Sequence, residues 1–213
     1  MIVLGIETAT PYGGAALWMD GEIVAEEAND GTVSHSQRLM PAIERVLHSA
    51  KCELTAIDGI AVSIGPGSFT GLRIGLAIAK TLAHEEGKPI VAVSTLEALA
   101  WRAARTDVVI APMLDARRNE IFGAIFKSSD DGTNLERLSP DVVERPETFA
   151  ERITMPTIAV GSGALRYAQL LQEHLQKRVI FAEGEINHPS AGVVAQLGAR
   201  KLAEGLAANV LTL

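Results

Sequence analysis

The chain has 213 residues, 47% of them hydrophobic and 21% charged, enough to bury a substantial core in one large domain or two small lobes. Its 19 Lys and Arg against 26 Asp and Glu leave a net charge of −7, which argues against nucleic acid as a direct, autonomous ligand. No apolar run is long enough to cross a membrane, the start Met1–Glu7 lacks the basic region and length of a signal peptide, and the one cysteine, Cys52, cannot form an internal disulfide, so a cytoplasmic location is expected.

In chain order, Ile2–Ile6 reads as a buried strand, followed by a polar turn through Thr8, Thr10, Pro11, Gly13 and Gly14. Ala15–Met19 and Glu22–Glu26 read as strands joined at Asp20-Gly21, a strong hairpin signal, giving a three-stranded meander. From Ser34 the period becomes 3.6: Leu39, Ile43, Val46 and Leu47 share one face of a helix ending by Lys51, in which Pro41 is tolerated only near the first turns. After a brief turn at Leu54–Ile57, Asp58–Ile64 reads as a buried strand that feeds Gly65-Pro66-Gly67, a corner that cannot continue a strand.

A helix follows, N-capped by Ser68 or Thr70, with Gly71, Gly75, Ala79 and Ala83 recurring every fourth residue on one face. That smooth stripe suits close approach of a second helix backbone from another molecule, a packing seam within the same domain, or, at the corner itself, an anion-binding cradle. A Walker A sequence does not occur, and Gly65, Gly67 and Gly71 miss the Gly-x-Gly-x-x-Gly spacing by one position.

Pro89–Val93 is a further strand, and Ser94 with Glu97 has the capping-box spacing ahead of a helix through about Arg102; alternation of strand and helix implies parallel pairing. A second lobe is expected from Asp107, dividing the chain into residues 1–106 and 107–213, with the last helix able to pack back on the N-terminal lobe. In it Val108–Leu114 and Ile121–Phe126 read as strands, Ser128–Asn134 as a hairpin tip, Thr148–Ile153 as a short helix, Thr157–Val160 as a strand leading to a helix at Gly161-Ser162-Gly163, and the segment from Pro189 as an alanine-rich helix.

A polar turn after the first strand of each half is the plan of an actin-like or sugar-kinase ATPase, with Glu7–Gly14 and Asp115–Asn119 as the phosphate turns and Gly161-Ser162-Gly163 facing an adenosine. Glu7 and Asp115 could then hold Mg²⁺ through water, although carboxylates at strand ends are common and no Lys or Arg lies in the first turn. Other chemistry is poorly supported. His35, His48, His84, His174 and His188 never pair at i, i+4 as a helical zinc site needs, and no Gly-x-Ser-x-Gly elbow occurs. Cys52 lies between Lys51 and Glu53 without a base, and reads as a structural thiol. Arg38, Arg45, His48, Lys51, Arg73 and Lys80 form either a cationic patch or an ordinary solvated face.

Four segments together, Ile2–Thr10, His35-Ser-Gln-Arg-Leu39, Gly65–Gly75 and Met113-Leu-Asp-Ala-Arg-Arg-Asn-Glu120, resemble the bacterial TsaB (YeaZ) family, and the likeness runs to about residue 205. The resemblance implies an α/β, two-lobed fold of the actin-like/sugar-kinase (ASKHA) ATPase class, with mixed sheets flanked by helices. It implies a non-catalytic subunit in the synthesis of threonylcarbamoyladenosine (t6A) beside the anticodon of tRNAs that read codons beginning with A, the transferase being the paralogue TsaD and the ATPase TsaE. The paralogue's paired metal-binding histidines are missing, since Leu39 stands four residues after His35. No residue is therefore assigned to catalysis or to a metal.

In the family, heterodimer and alternative homodimer are both built from the first two helices, here 34–50 and 68–86. The resemblance thus makes His35, Leu39, Ile43, Val46, Gly71, Leu72, Gly75, Leu76, Ala79 and Ala83 the expected partner-binding residues. Glu7, Thr8, Thr10, Gly13, Asp115, Arg117, Gly161 and Gly163 are the expected remnants of a nucleotide site. TsaD and TsaE are the implied partners, tRNA is met only through the complex, no cofactor is required by this chain alone, and ATP or ADP with Mg²⁺ belongs at the complex interface. The Pro-x-Tyr-Leu-Arg strand that commonly follows the last helix in relatives has no counterpart before Leu213.

Overall fold

A computed structural model describes residues 1–28, 31 and 34–208. The chain divides into two compact units, Met1–Ala98 with Pro189–Leu213, and Leu99–His188. The divide falls within a helix rather than at Asp107, and the last helix, which the sequence allowed to pack back on the N-terminal lobe, is part of the first unit.

The first unit is built on a sheet of β1 (Ile2–Glu7), β2 (Gly14–Met19), β3 (Glu22–Ala28), β4 (Gly59–Ser63) and β5 (Ile90–Val93), in the order β3-β2-β1-β4-β5. Asp20 and Gly21, both with positive φ, close the β2–β3 hairpin, and β1, β4 and β5 run parallel as the alternation required. Alternation along β1 and β4 sends Leu4, Ile6, Ile60 and Val62 to one face, where they meet α1 (His35–Ser49) and α2 (Phe69–Glu85). Their neighbours Val3, Gly5, Gly59 and Ala61 form the other face.

That second face is covered by the last helix, Ala191–Ala203. Gly5 and Gly198 are required there by proximity, since a Cβ on Gly5 would strike the Ala191 carbonyl and one on Gly198 would strike Ala61. The helix start is tied to the meander: Ser190 Oγ donates to Glu26 Oε1 at 2.7 Å and the Gly192 amide to the same oxygen at 3.1 Å.

The second unit follows α3 (Thr95–Ala103), whose start is capped by Ser94 Oγ accepting from the Glu97 amide. Its elements are β6 (Val109–Arg117), β7 (Glu120–Gly123), β8 (Phe126–Ser128), β9 (Leu135–Arg137), β10 (Val142–Glu144), α4 (Pro146–Glu151), β11 (Thr157–Val160), α5 (Ser162–Arg166), α6 (Ala168–Leu175) and β12 (Val179–Phe181); the Ala191–Ala203 helix is α7. The sheet order is β10-β7-β6-β11-β12, with β8 pairing β6 and β9.

The strand expected over Ile121–Phe126 is two strands, because β6 carries β8 opposite Val109–Ile110 and β7 opposite Met113–Arg117. They part beside Pro112, which has no amide to donate. Phe149, Ile153, Leu171 and Leu175 fill the core against this sheet. Among the described residues no helix is long and apolar enough to cross a membrane.

Candidate functional site

The turn after β1 is enclosed. Glu7 and Thr8 are fully buried, and Ala9 nearly so. Its backbone is held from several directions: the Thr8 amide donates to Ser63 Oγ at 3.3 Å, the Ala9 amide to Glu7 Oε1 at 2.5 Å, and the Ser68 amide to the Ala9 carbonyl at 2.8 Å. His35 Nε2 lies 2.8 Å from the Thr10 carbonyl, so the first residue of α1 is fastened to the same turn. Gly13 fits there because a Cβ would meet the Glu7 carbonyl. Burial pushes the Glu7 carboxyl from its ordinary 4.5 to about 7, against the opposing hydrogen bonds from Ser63, Ala9 and Thr10. Glu7 Oε2, Thr8 Oγ1 and Thr10 Oγ1 are buried with no hydrogen-bond partner among the described residues.

The second turn, between β6 and β7, is equally committed. Asp115 Oδ1 accepts from the Arg117 amide at 3.0 Å and Oδ2 from Arg166 Nη1 at 2.8 Å. Gly161 and Gly163 begin α5 pressed against β6, where Cβ atoms would crowd the Met113 and Leu114 backbone, and the Gly161 amide donates to Asn187 Oδ1 at 2.8 Å.

Of the eight expected nucleotide remnants, Glu7, Thr8, Gly13, Asp115, Gly161 and Gly163 serve their own units' packing, whereas the Arg117 side chain is exposed. They do not fit Mg-nucleotide as placed: the Glu7 carboxyl is sealed and half protonated near neutrality, and both Asp115 oxygens are engaged. Among the described residues, no group of three or more His, Cys, Asp or Glu side chains is arranged to hold a metal. A hollow of about 570 Å³ at the β8–β9 hairpin, lined by Lys127, Asp130, Asp131 and Glu136, contains none of the expected site residues.

The docking expectation needs correction residue by residue. Gly71, Gly75, Ala79 and Ala83 are the buried face of α2, not an outward seam. The two glycines lie over the β1 turn, where a Cβ on Gly71 would strike the Thr8 carbonyl and one on Gly75 would strike Thr8 Oγ1. Leu39, Ile43 and Val46 are likewise core, 1–2% exposed, because the apolar stripe of α1 is spent on its own sheet. His35, Leu72 and Leu76 are half-buried.

The face that α2 does present carries Phe69, Leu72, Arg73 and Leu76 at i, i+3, i+4 and i+7. Phe69 is 74% exposed with the Arg73 guanidinium 5.3 Å from its ring centre. Ile64, before the corner, and Met40, on α1, are also exposed apolar side chains of this unit. Phe69 and Met40 were missed in the sequence, although an aromatic directly after an N-cap, off the buried stripe, was a usable signal. The cations expected to gather here are partly engaged, Arg45 with Glu27 at 3.4 Å and Arg73 with Phe69. Cys52 is half-buried and its thiol is pushed up by burial and by Glu53, consistent with an unreactive group.

Comparison with known proteins gives concordant results. The family model described as "TsaD: tRNA N6-adenosine threonylcarbamoyltransferase" matches residues 22–211. Two curated relatives, both named tRNA threonylcarbamoyladenosine biosynthesis protein TsaB, are 31% identical over 94% of this chain and 88% of the Bacillus subtilis protein, and 32% identical over 96% and 89% for Escherichia coli. Among solved structures, YeaZ from Pseudomonas aeruginosa matches with a TM-score of 0.80 at 27% identity, covering 99% of this chain and 96% of that one. The ROK hexokinase of Thermus thermophilus, at 14% identity and a TM-score of 0.58 over 95% of this chain and 100% of its own, shares the fold.

Proposed function

The chain belongs to the TsaB (YeaZ) family of tRNA threonylcarbamoyladenosine biosynthesis proteins, and from that premise we propose that it is the non-catalytic subunit that docks and activates TsaD, working with the ATPase TsaE. The observation that carries this reading is the outward face of α2. A phenylalanine 74% exposed, braced by Arg73 and continued by Leu72 and Leu76, is the aromatic and arginine anchor set of protein interfaces. The two turns that would grip a nucleotide in a sugar kinase are instead closed by their own side chains, which supports a binding role rather than a reaction of its own. When alone, the same face closes a homodimer, so TsaD and a second copy compete for it. The tRNA is met through the assembled complex.

The test is a titration of TsaD with the full-length chain and its Phe69→Ala variant, alongside tRNA modification in vitro. Truncating a central aromatic anchor should weaken docking at least about 10-fold, on the order of 2 kcal/mol, and lower t6A formation in parallel while the fold, followed by circular dichroism, stays intact. Unchanged affinity would remove the face from the docking reading.

A further inference from the structure

Outside the docking face, the structure bears an unusual feature at the β6–β7 hairpin. Arg117, Arg118 and Asn119 follow one another with φ of +66°, +51° and +62°. A two-residue hairpin loop needs positive φ at both central positions, here Arg118 and Asn119, and Arg117 sits where the register shifts between Asp115 and the loop. Glycine, asparagine and aspartate occupy such positions at least cost; Asn119 obeys that preference and the two arginines do not. Backbone strain kept at a side chain's expense points to a use for the side chain.

The acid opposite Arg117 in the ladder, Glu120, forms no ion pair with it among the described residues. Residues Arg117, Arg118 and Asn119 are all exposed, and among the described residues neither arginine side chain has an ion pair, hydrogen bond or ring contact. Asp115, the acid placed to neutralise them, is occupied by the Arg117 amide and by Arg166, at 3.0 and 2.8 Å. Two free guanidinium groups therefore project from a hairpin whose long strand, β6, is the buried centre of its sheet.

We propose that Arg117 and Arg118 grip the phosphate backbone of the RNA substrate, a deepening that rests on the tRNA-modification reading above. Guanidinium forks match phosphate oxygens bidentately, and contacts of this kind position a nucleic acid without reading its sequence. A protein partner fits the tip less well, because a specific interface needs an apolar centre and the exposed tip residues include none. The net charge of −7 makes these two arginines a local contact that works once a partner supplies the rest of the RNA surface.

The experiment compares the full-length chain with its Arg117→Gln/Arg118→Gln double variant and with Arg118→Gly. Each is assembled with TsaD and TsaE, assembly being checked by size-exclusion chromatography, and titrated with an in vitro transcript of a tRNA reading codons that begin with A, over a salt series. The double variant should bind about 10-fold more weakly at low salt and show a log–log salt slope shallower by about 1.4, roughly 0.7 per lost phosphate contact to a single strand. Arg118→Gly should also weaken binding while leaving the thermal midpoint unchanged or raised, since glycine relieves the strained backbone. Equal affinity and slope for all three proteins would overturn the proposal. If wild type fails to assemble with TsaD, the docking reading fails and the tip proposal, which rests on it, falls with it; equal affinity and slope in assembled complexes overturn the tip proposal alone.

Discussion

Glu7 sits in a wholly buried turn, with one carboxylate oxygen accepting from Ala9 and the other unpartnered. The folded chain keeps its proton until about pH 7, whereas the unfolded chain releases it near 4.5. A raised acid pKa means the folded state binds more protons across that window, so the stabilisation is full below pH 4.5 and falls as pH rises to 7. At about 1.4 kcal/mol per unit the loss is about 3 kcal/mol, and it is level above pH 7. Glu7→Gln keeps the acceptor for Ala9 and cannot ionise. Urea unfolding of both proteins between pH 4.5 and 8 should show the variant gaining on wild type up to pH 7 and then running parallel; a pH-independent difference would mean that Glu7 ionises like an exposed glutamate.

For α2, helix propensity and packing make opposite predictions, and the geometry decides between them. Alanine is favoured over glycine by about 1 kcal/mol in a helix interior, so Gly75→Ala would stabilise an isolated helix. Here the new Cβ would strike Thr8 Oγ1 at a fully buried residue, and overpacking a tight seam costs about 1–3 kcal/mol. The variant should melt at a lower temperature than wild type, and Thr8→Ala should recover part of the loss by removing the clashing oxygen. A rise in melting temperature on Gly75→Ala would show that the helix stands off the turn.

The same stripe shows what was legible in the sequence and what was not. A period of four small residues identifies a close-approach face, but periodicity says nothing about what lies opposite, and the answer, Thr8, comes from a distant part of the chain. The sheet of the first unit was legible because Asp20-Gly21 and the apolar runs are strong local signals. In the second unit, α6 and β12 escaped because Leu170, Leu171 and Leu175 offer too short a pattern beside polar neighbours, and β9 and β10 are three-residue strands. The two phosphate turns were legible as a polar turn after the first strand of each half, whereas their enclosure depends on contacts no spacing reveals.

At the scale of the molecule, the first unit is discontinuous in sequence, and this has a consequence for folding. Its sheet is covered on one face by α1 and α2 and on the other by α7, which buries Ala191, Val193, Val194, Ala195, Leu197 and Ala199. Residues 1–106, the lobe that the sequence suggests, therefore leave Val3, Gly5, Gly59 and Ala61 without cover, an apolar surface of small side chains. Such a fragment should aggregate or remain without a cooperative thermal transition. Joining residues 1–98 to 189–213 through a flexible Gly/Ser linker restores the covering helix and its Glu26 tie to Ser190 and Gly192, and should return a single transition by circular dichroism. Glu26→Ala in the linked protein should lower that transition, because the α7 N-terminus loses its acceptor, by about 1 kcal/mol as for a lost helix cap. Cooperative melting of the unlinked 1–106 fragment would refute the dependence, since it would show that the sheet closes without the end of the chain.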